Sequence, residues 1–449
     1  MVPTSPAHAL RDALPKPAAA ALMTALTVLL LSGCGGPAQT VPADAGTPPA
    51  ISPSSDSGTS GGDGGTVNGD GGTTAAPTWH RDVLPVVQRS CAGCHLEGGV
   101  APFPLQTYAQ AEPMHFAIAD AVAQRRMPPW MADPSCRSYE HERLLTQGEI
   151  DTIVAWSAGG APEGDPADAP AEPPPPLALP WVSDTLDPGF DYTPSTATGP
   201  DDYHCFILDP MRTQAADVIG FDIEPGVRRM VHHVLLYSAA RTDAQAVDAQ
   251  HAGPGWKCFG GPGTSNPQVV GGWVPGTPVT QYPQGTGIRV PASAVLVMQI
   301  HYNTSTGPAV PDRTRVKLQY AQQPVAKVAQ ILPQAHATFA IPPQSTGYEV
   351  TTTESGPHPG VTVWGVLPHM HQLGTRLRVE IAQTGTCLVD IPKWNFHWQQ
   401  FYMFKEPVQV APSHGRKMTC GWDNPTSKTV TWGEGTGDEM CLNYVYLTL

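Results

Sequence analysis

The chain has 449 residues, among them 45 glycines and 50 prolines, and only 14% are charged. That length suits two or three domains, and short runs rich in threonine and β-branched residues between turn residues point to β-structure rather than a helical bundle. A formal charge of −14 without a basic patch excludes nucleic acid as a partner.

In chain order, Arg11 and Lys16 precede an apolar run from Ala18 to Leu31, too short for a membrane span and shaped like an export signal. Leu31, Ser32, Gly33 and Cys34 resemble a bacterial lipobox. That resemblance implies a signal over 1–34, lipidation of Cys34, and an exported protein anchored at a bacterial membrane, facing the periplasm or cell surface. An ordinary signal peptide with a chance cysteine is the alternative. Residues 35–77 are Gly, Ser, Thr and Pro with scarcely any apolar side chain, so they read as a disordered linker.

A compact helical unit is expected over 78–164. Thr146 and Glu149 form a capping box before its last helix, and Gly159 and Gly160 end it. Within the unit, Cys91, Cys94 and His95 make C-x-x-C-H, the pattern in which two thiols take thioether bonds to haem and the imidazole becomes an axial ligand. A redox disulfide and a zinc half-site are the alternatives. A helix precedes the motif and a loop follows, the reverse of the disulfide-exchange arrangement, so one haem c is the reading. Met127, ahead of two prolines, is the candidate sixth ligand, with Met114, His115 and Met131 competing. The surroundings of Met127 resemble small bacterial cytochrome c domains fused to other modules.

A Pro-rich spacer is expected over 165–199. Short strand candidates then run to the C-terminus, too many for one sandwich. Two antiparallel β-sandwiches are predicted, 200–320 and 321–449, making the chain a small all-α cytochrome c domain followed by two β-sandwich domains. His232 and His233 are adjacent, and on a regular strand would face opposite sides; both reach one metal only if the strand is bulged or ends there, or if the rings reach it through a particular nitrogen. His301 supplies a third imidazole. His369 and His371 share a strand face, with Met370 between them pointing away, and Met440 offers a thioether. Imidazoles alone suit copper or zinc, whereas imidazoles with a thioether favour reduced copper.

The order HH, Q-x-H-Y, H-x-H-x-L-G, E-M-C resembles the copper type II, ascorbate-dependent monooxygenases, the peptidylglycine α-hydroxylating and dopamine β-hydroxylating enzymes, over about 200–449. The resemblance implies two jelly-roll-like sandwiches facing across a wet cleft and two copper ions. His232, His233 and His301 would hold the electron-transfer copper, and His369, His371 and Met440 the catalytic copper that meets O2. It also implies disulfides Cys205–Cys258 and Cys420–Cys441, leaving Cys136 and Cys387 to pair. Two positions depart from the peptide-processing branch: Leu367 replaces a carboxylate-gripping arginine and Leu442 an asparagine, while Tyr444 keeps its place as a substrate contact. The substrate is therefore expected to be a small aromatic or apolar molecule, hydroxylated at a C–H bond. The haem would relay electrons from an external donor in place of soluble ascorbate. The alternative is a non-catalytic haem and copper electron-transfer or copper-handling lipoprotein. The aromatic run from Trp394 to Phe404 is expected to pack as core, with lining of a substrate pocket as the alternative.

Overall fold

The computed structural model describes residues 76–449, except 98–100, 172–177, 276, 278, 355–358 and 434–436. The leader 1–34 with Cys34, and residues 35–75 of the expected linker, lie outside the described residues. No helix among the described residues is long and apolar enough to cross a membrane.

The chain is helical where periodicity predicts it: Trp79–Val83 continuing into Leu84–Ser90, then His115–Ala123 and Gln147–Ala158. The last helix starts at its capping box: Thr146 Oγ1 accepts the Glu149 N–H, and the Glu149 carboxylate accepts the Thr146 N–H. Trp79, Val83, Ile118, Ile153 and Trp156 close a small core between these helices.

Beyond the helices, strands enclose two larger apolar cores. Phe206, Phe221, Leu296 and Ile300 lie in the first; Val363, Leu377, Val379 and Met418 lie in the second. One face of the first sandwich is a five-stranded sheet in the order Trp256–Lys257, Asp201–Leu208, Val295–Asn303, Val231–Ala239, Gln268–Trp273. One face of the second is a four-stranded sheet, Ser345–Glu354, Arg416–Asn424, Gly374–Ile381, Cys387–Ile391. The opposite faces are a single nine-stranded sheet. Its seam is Lys327–Ala335, parallel to Thr286–Val290 and antiparallel to Leu442–Thr448. Ala329 and Ile331 on the seam point into the first core while its hydrogen bonds reach the second sandwich. The two sandwiches are thus fused edge to edge rather than independent.

Two boundaries differ from the sequence reading. The stretch 165–199 is not spacer throughout: Asp184–Leu186 adds an edge strand beside Arg315–Tyr320, and Leu186 and Phe190 pack on the first core. Prolines tolerate such an edge, where a missing N–H costs no ladder bond. The loop 128–143 leaves the helical unit and docks on the second sandwich. Ala132 and Tyr139 enter its core, the Glu140 N–H donates to Met403 O at 2.8 Å, and Cys136 is bonded to Cys387. Cys205–Cys258 and Cys420–Cys441 are also formed, one in each sandwich.

Candidate metal centres

His232 and His233 begin the strand Val231–Ala239. Its pairing with Val295–Asn303 shifts register between Val231 and His233, and His233 comes to lie directly opposite His301. This is the bulge that adjacent histidines need in order to converge. Ring centroids lie 4.7 Å apart for His232 and His301, 4.8 Å for His233 and His301, and 5.7 Å for His232 and His233. One nitrogen from each falls within 4.8 Å of the others. His301 Nε2–H donates to Asp201 Oδ1 at 2.8 Å, so its Nδ1 carries the lone pair; that atom is buried without a hydrogen-bond partner. His232 Nδ1 and His233 Nδ1 face each other at 3.5 Å.

Burial, then the neighbouring imidazoles, pushes His232 down to about 3 and His233 well below the ordinary histidine value. His301 is lowered too, burial outweighing the opposing pull of Asp201. Three neutral imidazoles, one with an orphaned buried lone pair, fit a borderline transition-metal ion.

The second set sits at the end of the strand Val361–His369. Met370 is fully buried in the second core, as expected of the residue between two ligands, and the His369 and His371 rings lie 5.2 Å apart. His369 Nδ1–H donates to Gln399 Oε1 at 2.5 Å and His371 Nδ1–H to the Asp438 carbonyl at 3.0 Å, which makes Nε2 the lone-pair nitrogen of each. Burial pushes His369 down to about 4. Met440 precedes the last strand, Leu442–Thr448, and is anchored by the neighbouring Cys420–Cys441 bond.

Sequence reasoning passed over Glu439. Its side chain is fully buried and accepts four N–H groups: His371 N at 3.0 Å, Leu373 N at 2.6 Å, Trp422 Nε1 at 2.9 Å and Met440 N at 3.3 Å. One carboxylate thereby sets the backbone of both His371 and Met440. The acid beside Met440 is visible in the sequence, but its burial depends on Trp422 and Leu373, which only the fold brings near.

His233, His369, His371 and Met440 line one cavity of about 510 Å³, together with Leu367, Leu442 and Tyr444. The aromatic run divides: Trp394, Tyr402 and Phe404 are core, as expected, whereas Phe396, Gln399, Phe401 and Met403 face the cavity. The expected all-core packing fails because the turn Phe396–Trp398 interrupts the run before the strand Tyr402–Val410 begins. Aromatic contacts link the two sets. Tyr203 stacks on His301 at 4.1 Å and meets Phe259 at 4.5 Å, and Phe259 lies 6.2 Å from His371.

Cys94 reaches the same cavity, its thiol 3.7 Å from Pro275 O. Cys91 and Cys94 are not bonded to each other, and burial pushes Cys91 up to about 12 and Cys94 upward as well. His95 Nδ1–H donates to Phe103 O at 2.9 Å, leaving Nε2 as its lone-pair nitrogen. Two unbonded thiols three positions apart and an imidazole of fixed tautomer are the donor set that a covalently attached haem would need. Among the competitors for its other face, His115 is bonded to Ser157 Oγ and Met131 accepts the Asn395 N–H against the second core. Met114 packs with the helical core, and Met127 stands half-buried on the turn after the second helix.

Residues 325–447 match the family model for the copper type II ascorbate-dependent monooxygenase C-terminal domain. The chain is 26% identical over 238 residues to a DBH-like monooxygenase protein of Homo sapiens, covering 48% of this chain and 46% of that one. It is 22% identical to tyramine beta-hydroxylase of Caenorhabditis briggsae, over 50% of this chain and 40% of that one. Dopamine beta-hydroxylase of Canis lupus familiaris is 24% identical over 40% of this chain and 31% of its own length. The chain thus spans less than half the length of these curated relatives. Among solved structures, the infectious bursal disease virus VP2 subviral particle is similar at a TM-score of 0.17 and 10% identity, over 61% of this chain and 75% of that one, too low to bear on the fold.

Proposed function

We propose that this chain is a copper monooxygenase that hydroxylates a C–H bond of a small organic substrate with O2, drawing electrons from an external donor through a haem c on the same chain. The observation that carries the reading is one cavity lined by His233 of the first set, by His369, His371 and Met440 of the second, and by Cys94. His232, His233 and His301, and His369, His371 and Met440, would each hold a copper ion, which when bound would supply one-electron redox chemistry and O2 activation; Cys91, Cys94 and His95, with Met127, would hold a haem c that would supply a one-electron carrier.

The protein's own part is orientation and exclusion of water. Asp201, Gln399 and the Asp438 carbonyl each fix a tautomer, so His301, His369 and His371 present their lone-pair nitrogens without rearrangement. Leu367, Leu442, Phe401 and Met403 give the cavity an apolar wall, and Tyr444 adds a phenol to it. With leucine at 367 there is no bidentate carboxylate clamp at that position, which favours an aromatic or apolar substrate over a peptide carboxylate. Docking of the loop 128–143 holds the haem motif near the cavity, raising the effective concentration of donor at acceptor. Export and lipidation at Cys34 would place this chemistry at a bacterial membrane surface, facing the periplasm or outside.

The test is O2 uptake stoichiometric with a hydroxylated product from the copper-loaded full chain, abolished by His371→Ala, alongside a haem c absorption spectrum abolished by Cys91→Ala with Cys94→Ala. Copper and haem bound without O2-dependent product would instead establish the non-catalytic electron-transfer or copper-handling reading.

A further inference from the structure

We propose that Trp130, Arg143 and Gln400 form a carboxylate-binding site where the loop 128–143 meets the second sandwich. All three line the cavity that also holds His369, Met440 and Cys94. Each carries a buried N–H donor without an acceptor: Trp130 Nε1, Arg143 Nε and Gln400 Nε2. Gln400 is only 7% exposed. A buried donor left unmatched costs about 1–3 kcal/mol, so three in one place mark a site made for an acceptor. They form one cluster. An Arg143 Nη2–H donates to Gln400 Oε1, which leaves the amide nitrogen over. The Trp130 and Tyr402 rings meet edge-on at 5.2 Å, and Gln400 and Arg143 both oppose the upward push of burial on the Tyr402 phenol. That hydroxyl is itself buried without a partner.

Charge selects the ligand. Of the two arginines on the cavity wall, Arg89 is paired with Glu149 at 2.7 Å, whereas Arg143 makes no ion pair among the described residues. The neighbouring Glu142 carboxylate is engaged by the Tyr139 N–H. An unpaired guanidinium flanked by two neutral donors fits a planar, two-oxygen anion. The apolar wall beside it, Phe401 and Leu367, calls for that anion to be part of an organic molecule. Two sources have this chemistry. Arg143 stands close enough to Cys94 to pull its thiol down against burial, so a haem attached there would bring a propionate. That source rests on the haem reading. The other is a carboxylate on the substrate, and the site itself depends on neither source alone.

The experiment uses the full chain loaded with copper and haem, as wild type, Arg143→Gln, Arg143→Lys and Gln400→Glu. The last is isosteric and fills the site with its own negative charge. Two readouts are taken: the haem propionate bending band in resonance Raman spectra, and calorimetric binding of benzoate against uncharged benzamide. A propionate in the site predicts a band that shifts in Arg143→Gln and Gln400→Glu and returns toward wild type in Arg143→Lys, with benzoate bound no better than benzamide throughout. A substrate carboxylate predicts an unmoved band and a wild-type preference for benzoate that falls about tenfold in Arg143→Gln and Gln400→Glu. An unmoved band, together with a benzoate preference absent from wild type or untouched by the variants, would overturn the proposal and leave the donors to water. A wild-type chain without a haem c spectrum would sink the haem reading alone, and the benzoate arm would then decide the site.

Discussion

The first ligand set is assembled across a β-ladder, whereas the second hangs at a strand end and is gathered by a buried acid. In the first, a bulge at His232 sets two neighbours against His301 on the facing strand, and the supporting Asp201 is partly open to solvent. In the second, His371 and Met440 lie outside regular strands, and Glu439, fully buried, ties their backbones together. Ladder pairing makes a rigid cage of nitrogens. A loop pinned by one carboxylate admits a sulfur ligand and leaves room for a cavity beside it.

That contrast breaks most visibly at the two supporting acids. Glu439→Ala strands four buried donors, so it should cost about 3 kcal/mol or more in a urea melt and remove one of two coppers. Asp201→Ala removes a partner from His301 and from the Asn303 amide, at a site open enough for water to replace it; stability should fall by about 1 kcal/mol, while copper affinity at the first set drops about tenfold. Equal costs for the two substitutions would erase the distinction.

Acid sharpens the comparison in the metal-free protein. His232, held near 3, and His369, held near 4, protonate more readily in the unfolded chain, where histidine titrates near 6.5. The unfolded state therefore binds more protons below that pH, and their contribution to stability is complete above about 6.5 and lost as pH falls toward 4. Urea melts of chelated protein between pH 7 and 5 should show this loss, with His232→Ala and His369→Ala each flattening it. A smaller effect is expected at the cavity wall. Leu367→Arg should leave the fold and copper content intact, and raise KM for apolar substrates several-fold.

What could be read from the sequence follows from range. His369 and His371 flank a buried Met370, and two-residue spacing is enough to show it. The helix starting after Thr146 was legible because a capping box is a local signal. His232 and His233 were legible only conditionally: their convergence needed a bulge, which is a property of the pairing with Val295–Asn303 and of no single strand. Glu439 is buried by Trp422, Leu373 and His371, 17 to 68 positions away, and no local periodicity encodes such contacts. The shared sheet was missed for a related reason. Lys327–Ala335 alternates in burial like any strand, and nothing in that pattern says that its two edges serve different sandwiches.

The most direct test of two unlike centres is X-ray absorption at the copper edge of the reduced, copper-loaded chain. Wild type should bind two coppers and show nitrogen scatterers with a fraction of sulfur. That sulfur should vanish in Met440→Ala and persist, on a single remaining copper, in His301→Ala. A sulfur signal that survives Met440→Ala, or a chain that holds one copper or none, would contradict the account.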